Sequence, residues 1–192
     1  MNNYLKENFP KATFILVLLL FIANQTTHAF PALGKYLLLF PSDLKDPLNW
    51  YRLLTYALFV FGIKNWLYIS IPVILIGFII EHRVKPYFVP GLIVLSAIVG
   101  GLMFAISSQG DPDNIPLGSP TMISWGYWAA AIVVGLKNLK NLNLFEKIVI
   151  SLLFISVLSL WPRDLSLFFG EITVVIVTVI LTLTGYERIK AE

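Results

Sequence analysis

Few residues in this chain have types and spacing that could do chemistry. In "PLGSPTMISWGYWAAA", Pro116 to Ala131, Ser119 follows Gly118 where a loop-like stretch containing Asp111 and Asp113 gives way to an apolar run. A serine placed there can be a nucleophile if a base lies within hydrogen-bond reach and donors form an oxyanion hole. It can equally cap the helix that opens there, with Pro120 at the first helical position, where proline is favoured. Glu171, in "FFGEITVVIVTV", lies well inside an apolar run. A carboxyl at that depth is costly unless partnered, so it marks either a functional site or a structural bond to a serine or threonine of a neighbouring helix. The polar run "NQTTH", Asn24 to His28, is the candidate partner.

The possible bases are two histidines, His28 and His82. His82 ends one apolar run and Ser119 begins another. About fifteen helical residues would hold them at least about 22 Å apart, so His82 cannot serve Ser119. His28 is on the correct side, in a stretch with capping uses of its own. The chain has no cysteine, which removes disulfides and thiolate metal sites, and with only these two histidines no metal centre is expected.

Two further groupings stand out. In "NWYRLLTYALF", Arg52 is flanked by Trp50, Tyr51 and Tyr56. Either it anchors at the headgroups while its guanidinium bonds loop carbonyls, or the group is an ordinary aromatic belt. In "ILIGFIIEHR", Gly77 and Glu81 lie one helical turn apart. The glycine allows close approach of a neighbour that Glu81 can bond, or Glu81 is an interfacial carboxylate beside Arg83. "VGGL", Val99 to Leu102, offers another small surface for helix packing.

The elements that must hold these residues follow from composition. Of 192 residues, 57% are hydrophobic and only 13% charged, and the mean hydropathy is +0.79. Soluble domains carry roughly 25% charge, so this is a membrane protein. Apolar runs of spanning length are expected at about 12–30, 66–80, 87–107, 120–136, 147–161 and 167–185. That makes one membrane-embedded, all-α domain over 1–192, with a long outer segment, 31–65, between the first two helices. With both termini cytoplasmic, Lys6, Lys11, Arg83, Lys85, Lys137, Lys140, Lys147, Arg188 and Lys190 fall inside. Lys35, Lys45, Arg52, Lys64 and Arg163 fall outside, a nine-to-five split in the sense the positive-inside rule requires. The pI of about 9.1 is thereby explained by topology: no basic run of five or more exists to suggest nucleic acid. The apolar start ending "THAF" has the look of a signal peptide, but the five later spans make an uncleaved first helix the more natural reading.

Six helices with both ends inside, a first outer loop carrying Trp50-Tyr51-Arg52, a second helix ending Gly77-x-x-x-Glu81, and a Gly-Ser segment opening the fourth helix resemble the rhomboid intramembrane serine proteases over about residues 12–186. The departures from that family fall on its chemistry. Rhomboids open the fourth helix with Gly-x-Ser-Gly. Here Pro120 follows Ser119, and registers set by Gly118 or Gly126 put Pro120 or Thr121 at the serine position. Proline also removes a backbone donor near the oxyanion site. The family's sixth-helix histidine is absent, with Glu171 after Gly170 the nearest polar substitute. Asn65 and Ile69 stand near the family's second-helix His and Asn positions.

The resemblance therefore implies a pseudoprotease without a complete Ser/His dyad or a cofactor. Such a protein would bind transmembrane segments of client proteins in a groove open to membrane lipids. The bare six-helix core resembles prokaryotic members and implies a prokaryotic plasma membrane. The alternatives are a divergent active protease using Ser119 and a six-helix carrier or membrane-complex subunit.

Overall fold

A computed structural model of the chain describes residues 9–109, 115–159 and 165–190, with the backbone alone for 153–159 and 186–190. Arg163 and the aspartates Asp111 and Asp113 of the loop before Ser119 lie outside the described residues, as does Lys6. The described residues are almost all helical. The long helices are α1 (Lys11–Ala29), α2 (Gly62–Ile80), α3 (Phe88–Ser107), α4 (Thr121–Lys137), α5 (Leu144–Ser159) and α6 (Leu165–Lys190). Short helical turns at Gly34–Leu37 and Arg52–Thr55 interrupt the connection from α1 to α2.

Four of the long helices, α1, α2, α3 and the first 21 residues of α6, are long and apolar enough to cross a membrane. Of the six expected spans these four are borne out by length and composition, while α4 has 17 residues and α5 has 16 among the described residues. At 1.5 Å per residue those two rise only about 25 Å, less than the roughly 30 Å of a hydrocarbon core. Several bounds also shift. α2 begins at Gly62 rather than 66, because Asn24 Oδ1 accepts from Gly62 N–H at 3.0 Å and so caps the helix from α1. Lys64 and Asn65 are thereby drawn into its first turn. α6 begins at Leu165, so Glu171 lies about 9 Å into the helix instead of about 6 Å.

α4 holds the bundle together by packing on α2, α3, α5 and α6. Its sequence explains why it can. Ala129, Ala130, Ala131, Gly126 and Gly135 are small, and all are buried. Glycine contacts bring α3 and α6 close on one side. A Cβ on Gly100 of α3 would lie 2.6 Å from Met122, and one on Gly170 of α6 would lie 2.6 Å from Met122 and 3.0 Å from the Gly100 carbonyl. A Cβ on Gly126 would overlap the Ser96 hydroxyl of α3. The "VGGL" stretch is accordingly a packing surface, with Gly101 seating the Tyr56 ring.

The Gly77 and Glu81 pair joins α2 to α1. Pro10, the residue before α1, has no side chain to cap it. Glu81 does so instead, accepting from Ala12 N–H at 3.0 Å, Thr13 N–H at 2.6 Å and Thr13 Oγ1 at 2.5 Å. A carboxylate on the first-turn amides also sits favourably on the positive end of the helix. Because the Thr13 hydroxyl donates to Glu81, its contact with Tyr127 Oη at 3.2 Å has the tyrosine of α4 as donor. Gly77 makes room for this: a Cβ there would lie 2.5 Å from Thr13 Oγ1. Of the two roles open to Glu81, bonding the neighbouring helix is the one observed.

Glu81→Ala should therefore lower the stability of the detergent-solubilised protein by about 1–3 kcal/mol, as loss of a cap plus orphaned amides requires, with Tyr127→Phe costing about 1 kcal/mol. Gly77→Leu should be more damaging than either. Thermal melts followed by size-exclusion chromatography check this ranking, and a Gly77→Leu variant as stable as the parent would contradict it.

Candidate functional site at the opening of α4

The chain reaches α4 through a fixed path. Leu117 and Leu39 exchange backbone hydrogen bonds of 2.8 and 3.0 Å as an antiparallel bridge. The next residue, Gly118, lies beneath Leu38 and Phe59, and a Cβ there would collide with Leu38. Pro120 is the N-cap, not the first helical residue as expected, and α4 starts at Thr121. Ser119 keeps a capping role nonetheless: its Oγ accepts from Thr121 N–H at 3.3 Å, and the Ser119 and Thr121 hydroxyls bond one another. No histidine shares a hydrogen bond with Ser119 among the described residues. His28 lines a cleft whose wall is formed by Leu38 and Phe59, the same two side chains that cover Gly118. Asn65, expected near a catalytic position, donates to the Phe61 carbonyl at 2.8 Å within the first turn of α2.

α4 presents three faces. Met122 and Gly126 meet α3 and α6, while Tyr127 reaches Thr13 of α1. The remaining face carries Thr121, Ser124, Trp125, Trp128 and Ile132, all half-buried and spaced as one helical stripe. α2 and α6 both pack on α4 but touch each other little. The stripe is the part of α4 that its neighbours leave half-buried. The indoles of Trp125 and Trp128 meet edge to face at 5.5 Å. The Glu171 carboxyl of α6 stands beside the Trp125 indole of α4. No hydrogen bond joins Glu171 to "NQTTH" of α1, or to a serine or threonine, among the described residues. In that run Asn24 caps α2, and Thr26 and Thr27 donate to carbonyls of their own helix.

The Trp50-Tyr51-Arg52 group is held by a residue that its spacing did not reveal. Arg52 Nη1 donates to both oxygens of Asp43, at 2.8 and 3.0 Å, in place of the expected loop carbonyls. The Asp43 carboxylate in turn accepts from Phe40 N–H at 2.7 Å. The guanidinium carbon stands 5.6 Å from the Phe40 ring centre and 5.8 Å from that of Tyr51. The Tyr51 hydroxyl, ahead of Asp43 and against partial burial, raises the Arg52 pKa above its ordinary value. Trp50 is more than half exposed and donates its indole N–H to the Leu44 carbonyl at 3.3 Å. Tyr56, four residues beyond Arg52, is fully buried and donates to the Ala97 carbonyl of α3 at 2.9 Å, and burial raises its pKa.

At the opposite end of the bundle a second polar cluster escaped the sequence reading. Asn143 and Glu146 exchange side-chain and backbone bonds of 2.9 Å as a capping box on α5. Glu146 is fully buried. It also accepts two bonds from Arg83, at 2.6 and 2.8 Å, and Arg83 donates to the Ile79 carbonyl of α2 at 2.8 Å. The signal was present as Asn-x-x-Glu before an apolar run. His82 Nε2 lies 3.5 Å from Glu146. Burial, and next the Arg83 charge, push the His82 pKa down, with Glu146 opposing.

Among the described residues no group of three or more His, Cys, Asp or Glu could hold a metal ion. Neither the family models nor the curated proteins include a match to this chain.

Two outcomes follow from this geometry. Glu171→Gln keeps a hydrogen-bonding group beside the Trp125 indole and should melt close to the parent, whereas Glu171→Leu should lose about 1–3 kcal/mol by leaving that donor against an alkyl chain. Equal melting of the two variants would contradict the pairing. For His82, a folded-state pKa below the ordinary histidine value of 6.5 means that the unfolded chain binds more protons as pH falls through that value. The contribution of His82 is therefore present above about pH 6.5 and lost below it. Melting temperature should drop between about pH 7.5 and 5.5, and His82→Gln should flatten that slope.

Proposed function

We propose that this chain is a rhomboid-like membrane protein without a working Ser/His dyad, which binds transmembrane segments of other membrane proteins in the groove over α4. In this reading all six long helices span, α4 and α5 as short spans shielded inside the bundle. Both termini are cytoplasmic, at the end where Lys11, Arg83, Lys85 and Lys137 gather, and residues 30–61 form the outer connection.

The observation that carries the reading is the polar neighbourhood of Ser119. Its hydroxyl is engaged by Thr121 and caps a helix, and no hydrogen bond joins it to Glu171, the carboxyl that stands in for the family's histidine, among the described residues. Neither group is set to take a proton from the other. What supports binding instead is the half-buried stripe from Thr121 to Ile132, apolar and aromatic for most of its length, on a helix flanked by two helices that touch each other little. A single helix laid there would cover Trp125 and Trp128. The exposed N-terminal half of α2, including Leu67, Tyr68 and Ile71, would form one flank.

A photo-crosslinking residue at position 128 should capture single-span membrane proteins in native membranes, while the same residue at position 14, on the exposed face of α1, should not. Equal capture from both positions would remove the groove from the account. A fluorophosphonate probe should leave the purified protein unlabelled, and Ser119→Ala should capture clients like the parent. Labelling that disappears in Ser119→Ala would instead establish a divergent protease.

A further inference from the structure

A second cleft, of about 260 Å³, lies where the end of α1, the 30–61 segment and the start of α2 meet. Its walls are mainly apolar, with Leu38, Phe59 and Phe61, but Asn24, His28 and Lys35 also reach it. None of the side chains that line it is acidic. Asn24 is almost fully buried, and its Oδ1 accepts from Gly62 N–H at 3.0 Å. This leaves the amide NH2 of Asn24 as a donor with no hydrogen-bond partner among the described residues. The opening turn of α2, a 19-residue helix with no side-chain cap of its own, contributes its positive end. The last carbonyls of α1 work against an anion here, so Lys35 decides the sign. Its ammonium, 5.6 Å from the Tyr36 ring centre, makes no ion pair among the described residues.

The volume is below the roughly 300–1,000 Å³ of pockets that enclose a whole small molecule. Phe61 is 79% exposed and Phe30 63% exposed beside it, so the cleft opens among large apolar side chains of the kind that face acyl chains. Size, sign and rim together describe a place for one part of an amphiphile whose remainder lies in the bilayer. We propose that this cleft binds the phosphodiester and first methylenes of a glycerophospholipid from the leaflet at the C-terminal end of α1. Lys35 and His28 meet the phosphate, the Asn24 amide donates to it, and Leu38, Phe59 and Phe61 cover the start of the chains.

The experiment is a titration of the full-length protein, in an uncharged detergent and phosphate-free buffer, with dihexanoyl phosphatidylglycerol. Native mass spectrometry counts bound lipid, and thermal melts follow stabilisation. A saturable one-lipid complex is expected. Lys35→Glu should bind about tenfold more weakly, the scale of one charge-assisted contact, and Lys35→Arg should keep the affinity. Lys35 is exposed, so melts of the lipid-free variants should match the parent and separate lost binding from lost fold. Inorganic phosphate at the same concentrations should give no shift. An equal shift with phosphate alone would replace the lipid by a free anion. Unchanged binding in Lys35→Glu, or no saturable binding at all, would overturn the site.

Discussion

The ends of helices carry amides and carbonyls without intrahelical partners, and in this bundle neighbouring helices supply them. α1 starts after a proline, and its free amides are met by Glu81 of α2. α2 starts at a glycine in the left-handed region, φ 83°, and its first amide is met by Asn24 of α1. α5 carries its own capping box, yet the same Glu146 is gripped by Arg83 after α2. Where hydrocarbon excludes water, an unpaired backbone group costs several kcal/mol. Each of these side chains therefore fixes the height of one helix against another as well as finishing a helix. The bundle is pinned at both ends of α2, and the rest of the packing is built between those pins.

Between the pins, small residues decide how near the helices come. Gly77, Gly100, Gly126 and Gly170 sit where a Cβ would meet Thr13, Met122, Ser96 or a backbone carbonyl. Apolar side chains gain little by leaving lipid for protein, so close backbone approach and dispersion contacts carry association in a membrane. α4 answers this requirement most fully, with its alanines and glycines turned into the bundle. The consequence is asymmetric. Two faces of α4 are packed tightly, and its larger residues, Trp125 and Trp128, are left on the third.

Ser119 belongs to this economy of caps. Proline after it cannot donate a backbone hydrogen bond, and its own hydroxyl is turned to Thr121 at the head of the helix. Glu171 of α6 stands beside Trp125 of α4. Asn24, at the same end of the bundle, likewise finishes α2 from α1.

Much of this was legible in the residues. The apolar runs located every long helix to within a few residues, because spanning length and the lack of charge leave few alternatives. The Gly77 and Glu81 pair announced a helix contact through its one-turn spacing. The partners were not legible. Nothing in the spacing of Arg52 points to Asp43, nor in that of Glu171 to Trp125, and the capping box at Asn143 was readable but its union with Arg83 was not. By itself the sequence determined an all-helical protein with several helices long and apolar enough to cross a membrane, since hydropathy is a sum over local residues. Only the tertiary structure decided which polar group meets which, and which face of α4 is left half-buried. Those depend on the height and rotation of helices far apart in the chain, which no local pattern encodes.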